Sequence, residues 1–416
     1  MRIVGNSMKI LVLSWEFPPY IEGGLGEHVR GLVSALIEDI SDLELHLITP
    51  DFNGLASHES SGRLHVHRVP VNRPAQDSIY TDVLKANTAF YATAVQLVNS
   101  GSVFDVIHVH DWLAGFAAID MQTMLSVPLV ATIHATERGR YRGLLNSELS
   151  FAIDAAEARL ARTAQQVIVC SPAMQHEVQH FFGVPTERLH VIPNGIDSQR
   201  LQILRHEELS AFRARFAHPD ERLVFNVGRL VYEKGADLLV QSATQVLMRV
   251  PNTRFVIGGR GPLLDPLRQR VAEMGLQERV LLPGYLSDDV RDRLYVVADV
   301  CAFPSRYEPF GIVALEAMAA GTPVIVSDVG GLGEVVRHEE TGLTVYAGDA
   351  NSLAWAVTRV LEDQPAAAVR AERALAEVES VWNWQIIARS TADVYRESAS
   401  AWLITEALAD SLTGSH

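Results

Sequence analysis

The sequence predicts an α/β protein of two domains, each built on a parallel sheet, and three observations carry that prediction. Short continuous apolar runs alternate with longer stretches of helical period from Lys9 to Ser171, the pattern of buried parallel strands joined by crossover helices. The alternation pauses at the turn Pro193-Asn194-Gly195-Ile196-Asp197 and restarts with a strand at Arg222–Gly228. A chain of 416 residues is also more than one hydrophobic core ordinarily serves. Ligands of such sheets sit at the C-terminal ends of the strands, so polar residues found there are the candidates for function.

Lys9 to Ser14 reads as the first buried strand. Its loop carries Pro18-Pro19 and then Gly23-Gly24-Leu25-Gly26, ahead of an amphipathic helix expected from about Glu27 to Glu38. Glycines in that loop let backbone N–H groups approach a phosphate; a plain tight turn is the alternative. Strands are expected at Leu43–Thr49, Leu64–Val69, Phe104–His110, Pro128–His134, Gln166–Ser171 and Arg188–Ile192, with a helix from about Tyr80 to Asn99. Two strand ends carry chemistry. In His108-Val109-His110-Asp111-Trp112 the two histidines alternate to one face. With His134 one strand away a metal pair is conceivable, but no third ligand has sequence-local spacing and no metal is expected. A structural role for His108 is the alternative. Beyond His134 lie Arg138, Arg140 and Arg142, either a solvated loop that neutralises nearby acids or a clamp for a phosphate.

In the second half, Arg229 and Lys234 flank the loop after the first strand, five residues apart and within reach of one anion. Strands follow at Thr253–Gly258, Arg279–Pro283, Asp299–Phe303 and Pro323–Ser327, and Gly258-Gly259-Arg260-Gly261-Pro262 places flexible backbone at a strand end. After Phe303-Pro304 comes the densest stretch, Ser305 to Gly321. Pro309 and Gly311 predict a helix start beside Glu308, with free N–H groups and the positive end of the helix dipole turned toward an anion. Eight residues along a helix rise about 12 Å, so Glu308 and Glu316 are expected to grip two separate neutral parts of one long ligand. Helices are expected at Asn351–Leu361 and Ala366–Glu379, and a last one from Val381, frayed beyond Leu408.

The run Glu-Pro-Phe-Gly-x-x-x-x-Glu-Ala-Met-Ala-x-Gly-x-Pro-Val from Glu308 to Val324 resembles the signature of the retaining GT-B glycosyltransferases of family GT4, of the glycogen synthase and sucrose-phosphate synthase type. The resemblance recurs from Gly23 to Gly342. It implies two Rossmann-like domains whose parallel sheets face an interdomain cleft: an acceptor domain at 8–193, a nucleotide-sugar donor domain at 194–380, and a C-terminal helix at 381–408 crossing back to the first. It also implies transfer of a hexosyl group from a nucleotide diphosphosugar, UDP- or ADP-glucose, with no metal or other cofactor.

By that resemblance Glu308 holds hydroxyls of the donor sugar and Glu316 the ribose. Gly23, Gly24 and the helix start Pro309, Phe310, Gly311, Ile312 and Val313 meet the donor, and Arg229 and Lys234 its leaving diphosphate. Asp111 binds the transferred sugar or acceptor, His134 lies beside the reacting face, and Tyr285 and Leu286 contact the base, with a core position as the alternative for Tyr285. One departure stands out: bacterial glycogen synthases carry Lys two residues before the paired glycines, where this chain has Ile21. An α-glucan and a small sugar phosphate held by Arg138, Arg140 and Arg142 therefore stay open as acceptors. A nucleotide-sugar epimerase of the same fold and a transferase to lipid or another acceptor are the alternative functions.

A formal net charge of -15 argues against wholesale binding of nucleic acid or anionic membrane. A hydrophobic share of 48% with 20% charged residues fits a folded chain. No apolar run reaches the length of a membrane span and Met1–Ser7 lacks a signal-peptide core, so a cytoplasmic enzyme is expected. Cys170 and Cys301 fall in apolar runs and are expected to be buried thiols.

Overall fold

The structure, a computed structural model, describes residues 7–73 and 79–413; most of the opening segment weighed above as a signal peptide lies outside the described residues. The chain forms two compact units: the first ends at Pro193 and resumes at Trp384, and the second runs from Asn194 to Asn383.

The first unit is an eight-stranded sheet. Its strands are β1 (Met8–Leu13), β2 (Leu43–Asp51), β3 (His58–Ser61), β4 (Leu64–Pro70), β5 (Val106–His110), β6 (Leu129–Ile133), β7 (Gln166–Val169) and β8 (Leu189–Val191). They lie in the order β3-β4-β2-β1-β5-β6-β7-β8. All pairings are parallel except β3 with β4. The sequence did not predict β3, because His58–Ser61 is exposed along its whole length and offers no apolar run to read. Ile10, Val12, Val29, Leu32 and Leu36 build the core together with Ile387, Ala388 and Tyr395 from the final helix, Trp384–Thr413.

That helix docks closely on the helix Gly24–Asp39. A Cβ on Gly31 would lie 2.2 Å from the Trp384 ring, so a larger residue at 31 would push the two apart. Two hydrogen bonds fix the crossing: His108 Nδ1 with the Tyr395 hydroxyl at 2.7 Å, and Trp402 Nε1–H donating to the Ser126 carbonyl at 2.8 Å.

The second unit has six strands, all parallel: β9 (Arg222–Val227), β10 (Thr253–Gly258), β11 (Val280–Gly284), β12 (Val300–Phe303), β13 (Val324–Ser327) and β14 (Leu343–Val345), in the order β11-β10-β9-β12-β13-β14. Val224, Leu239, Phe255, Ile257, Ile325, Leu353 and Val357 form its core. The short β14 is a further element the sequence did not predict. The last helix also starts later than expected. Val381 ends the helix Gln364–Val381. Trp382 stays with the second unit, its ring 5.6 Å from that of Phe310 and its carbonyl accepting from the Ile196 N–H at 2.9 Å. Cys170 and Cys301 are buried and are not joined in a disulfide.

Both sheets change winding direction once. In the first, β1 lies between β2 and β5; in the second, β9 lies between β10 and β12. The strand ends of β1 and β5, and those of β9 and β12, therefore mark the winding switch of each sheet, the place where doubly wound sheets bind ligands.

Candidate active site

In the second unit the loops leaving β9 and β12 touch. Gly235 makes this possible: its φ is +68°, and a Cβ there would sit 1.9 Å from the Pro304 carbonyl oxygen. Only glycine suits both the conformation and the approach. The Glu233 carbonyl accepts from the N–H groups of Arg306 and Tyr307 at 2.7 and 3.3 Å. Arg306 makes a bidentate pair with Asp237 at 2.7 and 2.6 Å, locking the loop after β12 to the helix after β9.

The result is that Lys234 Nζ lies 2.5 Å from Glu308 Oε2, with the Ser305 hydroxyl donating to the same oxygen at 3.3 Å. Glu308 is buried, and Lys234 keeps about a quarter of its side chain exposed, 26%. Arg229 stands at the rim, half exposed and only loosely paired with Glu233 at 3.6 Å. Lys234, Glu308 and Arg229 are thus brought to one set of strand-end loops, with a carboxylate whose second oxygen has acceptor capacity for hydroxyls.

The helix after Glu308 differs from the expectation. It begins at Ile312, with Gly311 as its N-cap at φ 108°; a Cβ on Gly311 would meet Leu332 Cδ2 at 2.5 Å. Glu308 and Pro309 to Gly311 belong to a loop, so the spacing of Glu308 and Glu316 is not the rise of eight helical residues. Gly331 packs under this loop, its N–H donating to the Glu308 carbonyl at 3.0 Å.

Glu316 is buried. Its Oε2 accepts from the Tyr295 hydroxyl at 2.8 Å and its Oε1 from Arg200 at 3.2 Å, with Arg291 3.9 Å away. Burial, and then the Glu316 charge, push the Tyr295 phenol well above its ordinary value. A carboxylate has about four lone-pair sites, so two remain for a ligand. Sequence reading missed Arg200, Arg291 and Tyr295, because nothing in their local spacing points at Glu316. Tyr285 is not a core residue: it is 60% exposed, with the Arg260 guanidinium 4.3 Å over its face. Leu286 instead packs against the β10 end, where a Cβ on Gly258 would be 2.3 Å from its Cδ1.

In the first unit, Asp111 follows β5 with φ 59°, and its Oδ1 accepts from the His134 N–H at 2.8 Å. Burial pushes its carboxyl up to about 7, against the lowering effect of that bond. His110 Nδ1 lies 3.1 Å from His134 Nε2. His28 joins from the helix Gly24–Asp39, so that ring nitrogens of His28, His110 and His134 all lie within 4.8 Å of one another. Burial lowers His134 to about 4 and holds His110 well below the ordinary imidazole value, leaving both rings neutral at pH 7. His28 supplies the third nitrogen that sequence-local spacing did not show. His108 is structural: both its nitrogens are taken, by Tyr395 and by the Thr132 hydroxyl at 2.7 Å.

The glycine loop holds a surprise. Gly23 and Gly24 do stand at the start of the first helix, which begins at Gly24 rather than Glu27. Yet Glu16 Oε2 accepts the N–H groups of Glu22 and Gly23 at 2.9 and 3.1 Å. The chain's own carboxylate takes amides that the sequence offered to a phosphate. Arg138 makes a bidentate pair with Asp154 at 2.7 and 2.8 Å, while Arg140 lies 4.0 Å from Glu137 and Arg142 is exposed. Arg138 thus does what the neutralising reading describes.

Two doubly wound α/β units, each with its polar residues on the loops beside a winding switch, have the architecture of the GT-B fold, and the relatives show the class of enzyme that it serves here. Residues 22–200 match the family described as Glycosyltransferase Family 4, and residues 210–376 match Glycosyl transferases group 1. The chain is 37% identical over 392 residues to an uncharacterized glycosyltransferase of Methanocaldococcus jannaschii, covering 94% of this chain and 98% of the relative. It is 36% identical to the glycogen synthase of Mycobacterium tuberculosis, covering 93% and 94%. The sucrose-phosphate synthase of Thermosynechococcus elongatus superposes with a TM-score of 0.81 at 27% identity, over 95% of this chain and all of that one, 100%. The chain belongs to glycosyltransferase family 4. Among its described residues no helix is long and apolar enough to cross a membrane.

Proposed function

We propose that the protein is a retaining hexosyltransferase of the cytoplasm, moving a glucosyl group from UDP- or ADP-glucose to an α-glucan or a small sugar phosphate. The observation that carries this reading is the Lys234–Glu308 pair beside Arg229 on the strand-end loops of the second unit. One carboxylate there is suited to sugar hydroxyls, and two cations to a diphosphate. The relatives named glycogen synthase and sucrose-phosphate synthase support glucose as the sugar and both acceptor classes.

In this mechanism the bond from the anomeric carbon to the diphosphate oxygen breaks while the acceptor hydroxyl forms the new bond on the same face. The leaving phosphate oxygen takes the hydroxyl proton. Negative charge grows on the diphosphate, and Arg229, Lys234 and the N-terminus of the helix Ile312–Ala319 stabilise it without a metal or other cofactor. Glu308 holds donor hydroxyls, Glu316 the ribose, and Tyr285, Leu286, the loop residues Pro309, Phe310 and Gly311 and the helix start at Ile312 and Val313 the rest of the nucleotide. Gly23 and Gly24 meet the donor, and Asp111 and His134 serve the transferred sugar and the acceptor. A phosphate clamp built from Arg138, Arg140 and Arg142 has to draw Arg138 from Asp154 and Arg140 from Glu137, while Arg142 is already exposed.

The test is turnover with UDP-, ADP- and GDP-glucose against glycogen, glucose 1-phosphate and fructose 6-phosphate, with the product anomer read by NMR. An α-linked product from an α-linked donor supports the reading. Inversion overturns it, and so does release of an altered free donor without any acceptor, the mark of an epimerase.

A further inference from the structure

We propose that Glu44, His46 and His65 form a binding site for a divalent transition-metal ion, zinc being the best fit, at the start of strands β2 and β4. The register pairs His46 with His65 across the two strands, and Glu44, two residues before His46, shares its face. Glu44 Oε1 lies 3.2 Å from His46 Nε2 and 3.7 Å from His65 Nε2, and all three ligand atoms fall within 4.8 Å of one another. Donors around a tetrahedral zinc, at bonds of about 2.0–2.1 Å, are roughly 3.3 Å apart. The two carboxylate–imidazole distances, 3.2 and 3.7 Å, stand close to that spacing, and the two imidazole nitrogens lie within 4.8 Å of each other.

Their orientation is also fixed from behind. His46 Nδ1 meets His67 Nε2 at 3.2 Å, and His65 Nδ1 meets the Ser60 hydroxyl at 2.9 Å. Both rings therefore turn Nε2 toward the same carboxylate, the arrangement by which outer partners aim metal-binding histidines. Ser60 comes from β3, the strand without an apolar signature. Glu44 and His65 are part-exposed, 21% and 25%, leaving an entry path and room for a water as fourth ligand.

The feature that opposes the ion is Lys9, whose Nζ sits 2.8 Å from Glu44 Oε1. Its ammonium must move to solvent, which its partial exposure allows. The site lies at the strand starts, whereas the transfer chemistry lies at the strand ends, so its role is to tie β2 to β4. It does not depend on the reading of the active site.

The experiment is a cobalt titration of tag-free protein, following the visible absorption of four-coordinate Co2+. Wild type is expected to bind one equivalent with that spectrum, and Zn2+ to displace it and raise the melting temperature. Glu44→Gln combined with His65→Gln is expected to lose both responses while keeping the wild-type circular dichroism and glucosyl transfer. Lys9→Met is expected to tighten Co2+ binding several-fold. The proposal fails if wild type shows no four-coordinate spectrum, or if the double variant binds cobalt as wild type does.

Discussion

Lys234→Ala separates the two jobs assigned to Lys234. The substitution leaves the buried Glu308 carboxylate with only the Ser305 hydroxyl at 3.3 Å. Stripping the partner from a fully buried pair costs about 3–5 kcal/mol. Lys234 is 26% exposed, so water can enter behind it, and a loss of roughly 1–3 kcal/mol is expected. Glu308→Gln on top of Lys234→Ala removes the unpaired charge and should bring stability back to within about 1 kcal/mol of wild type. Turnover should behave differently. Loss of one preorganised charge facing the leaving group costs about 10²–10³ in kcat, and a neutral amide at 308 cannot restore it. Urea midpoints and initial rates on the three proteins measure both quantities. If the double variant regains turnover along with stability, Lys234 is a structural counter-ion and its catalytic assignment is wrong.

Other outcomes follow from the same geometry. Gly235→Ala, with its Cβ 1.9 Å from the Pro304 carbonyl and φ +68°, should destabilise the second unit by about 2–4 kcal/mol and reduce activity with it, as melting and rate measurements would show. Acidification from pH 6.5 toward 4 should destabilise the first unit. His108 at about 3 and His134 at about 4 stay neutral when folded, while the unfolded chain binds protons near 6.5, so each contributes a loss of order 1 kcal/mol per pH unit as pH falls. Asp111 works against them. Raised to about 7, it keeps its proton in the folded state between roughly pH 4 and 7, where its share of stability falls as pH rises. Asp111→Asn should therefore steepen the acid loss by about 1 kcal/mol per unit, and an unchanged slope in urea midpoints would contradict the assignment. Transfer rates should be unchanged in a chelator; full dependence on a divalent ion would overturn the metal-free chemistry.

The division into two α/β units was legible because buried parallel strands are short, apolar and followed by glycine or polar loops. Thr253–Gly258 reads the same in sequence and structure. β3 and β14 were not legible, one being wholly polar and the other three residues long. Among the candidate site residues, Arg229, Lys234 and Glu308 announced themselves by following strand ends. What surrounds Glu316 did not: Arg200 lies 116 positions away and Tyr295 lies 21 positions away, and only the packing of three helices joins them. The same holds for His28 beside His134, and for Glu16, whose carboxylate reaches across Pro18-Pro19 to the glycine loop. Side-chain pairing across elements carries no periodicity, so a loop that reads as an anion cradle can be filled by the chain itself.

The central claim is that fixed cations of the second unit carry the departing diphosphate, and Arg229→Ala tests it most directly. Its guanidinium is half exposed and loosely held at 3.6 Å from Glu233, so the substitution should leave the melting temperature unchanged. The account predicts that kcat for glucosyl transfer falls by about 10²–10³. Turnover at the wild-type rate would contradict it.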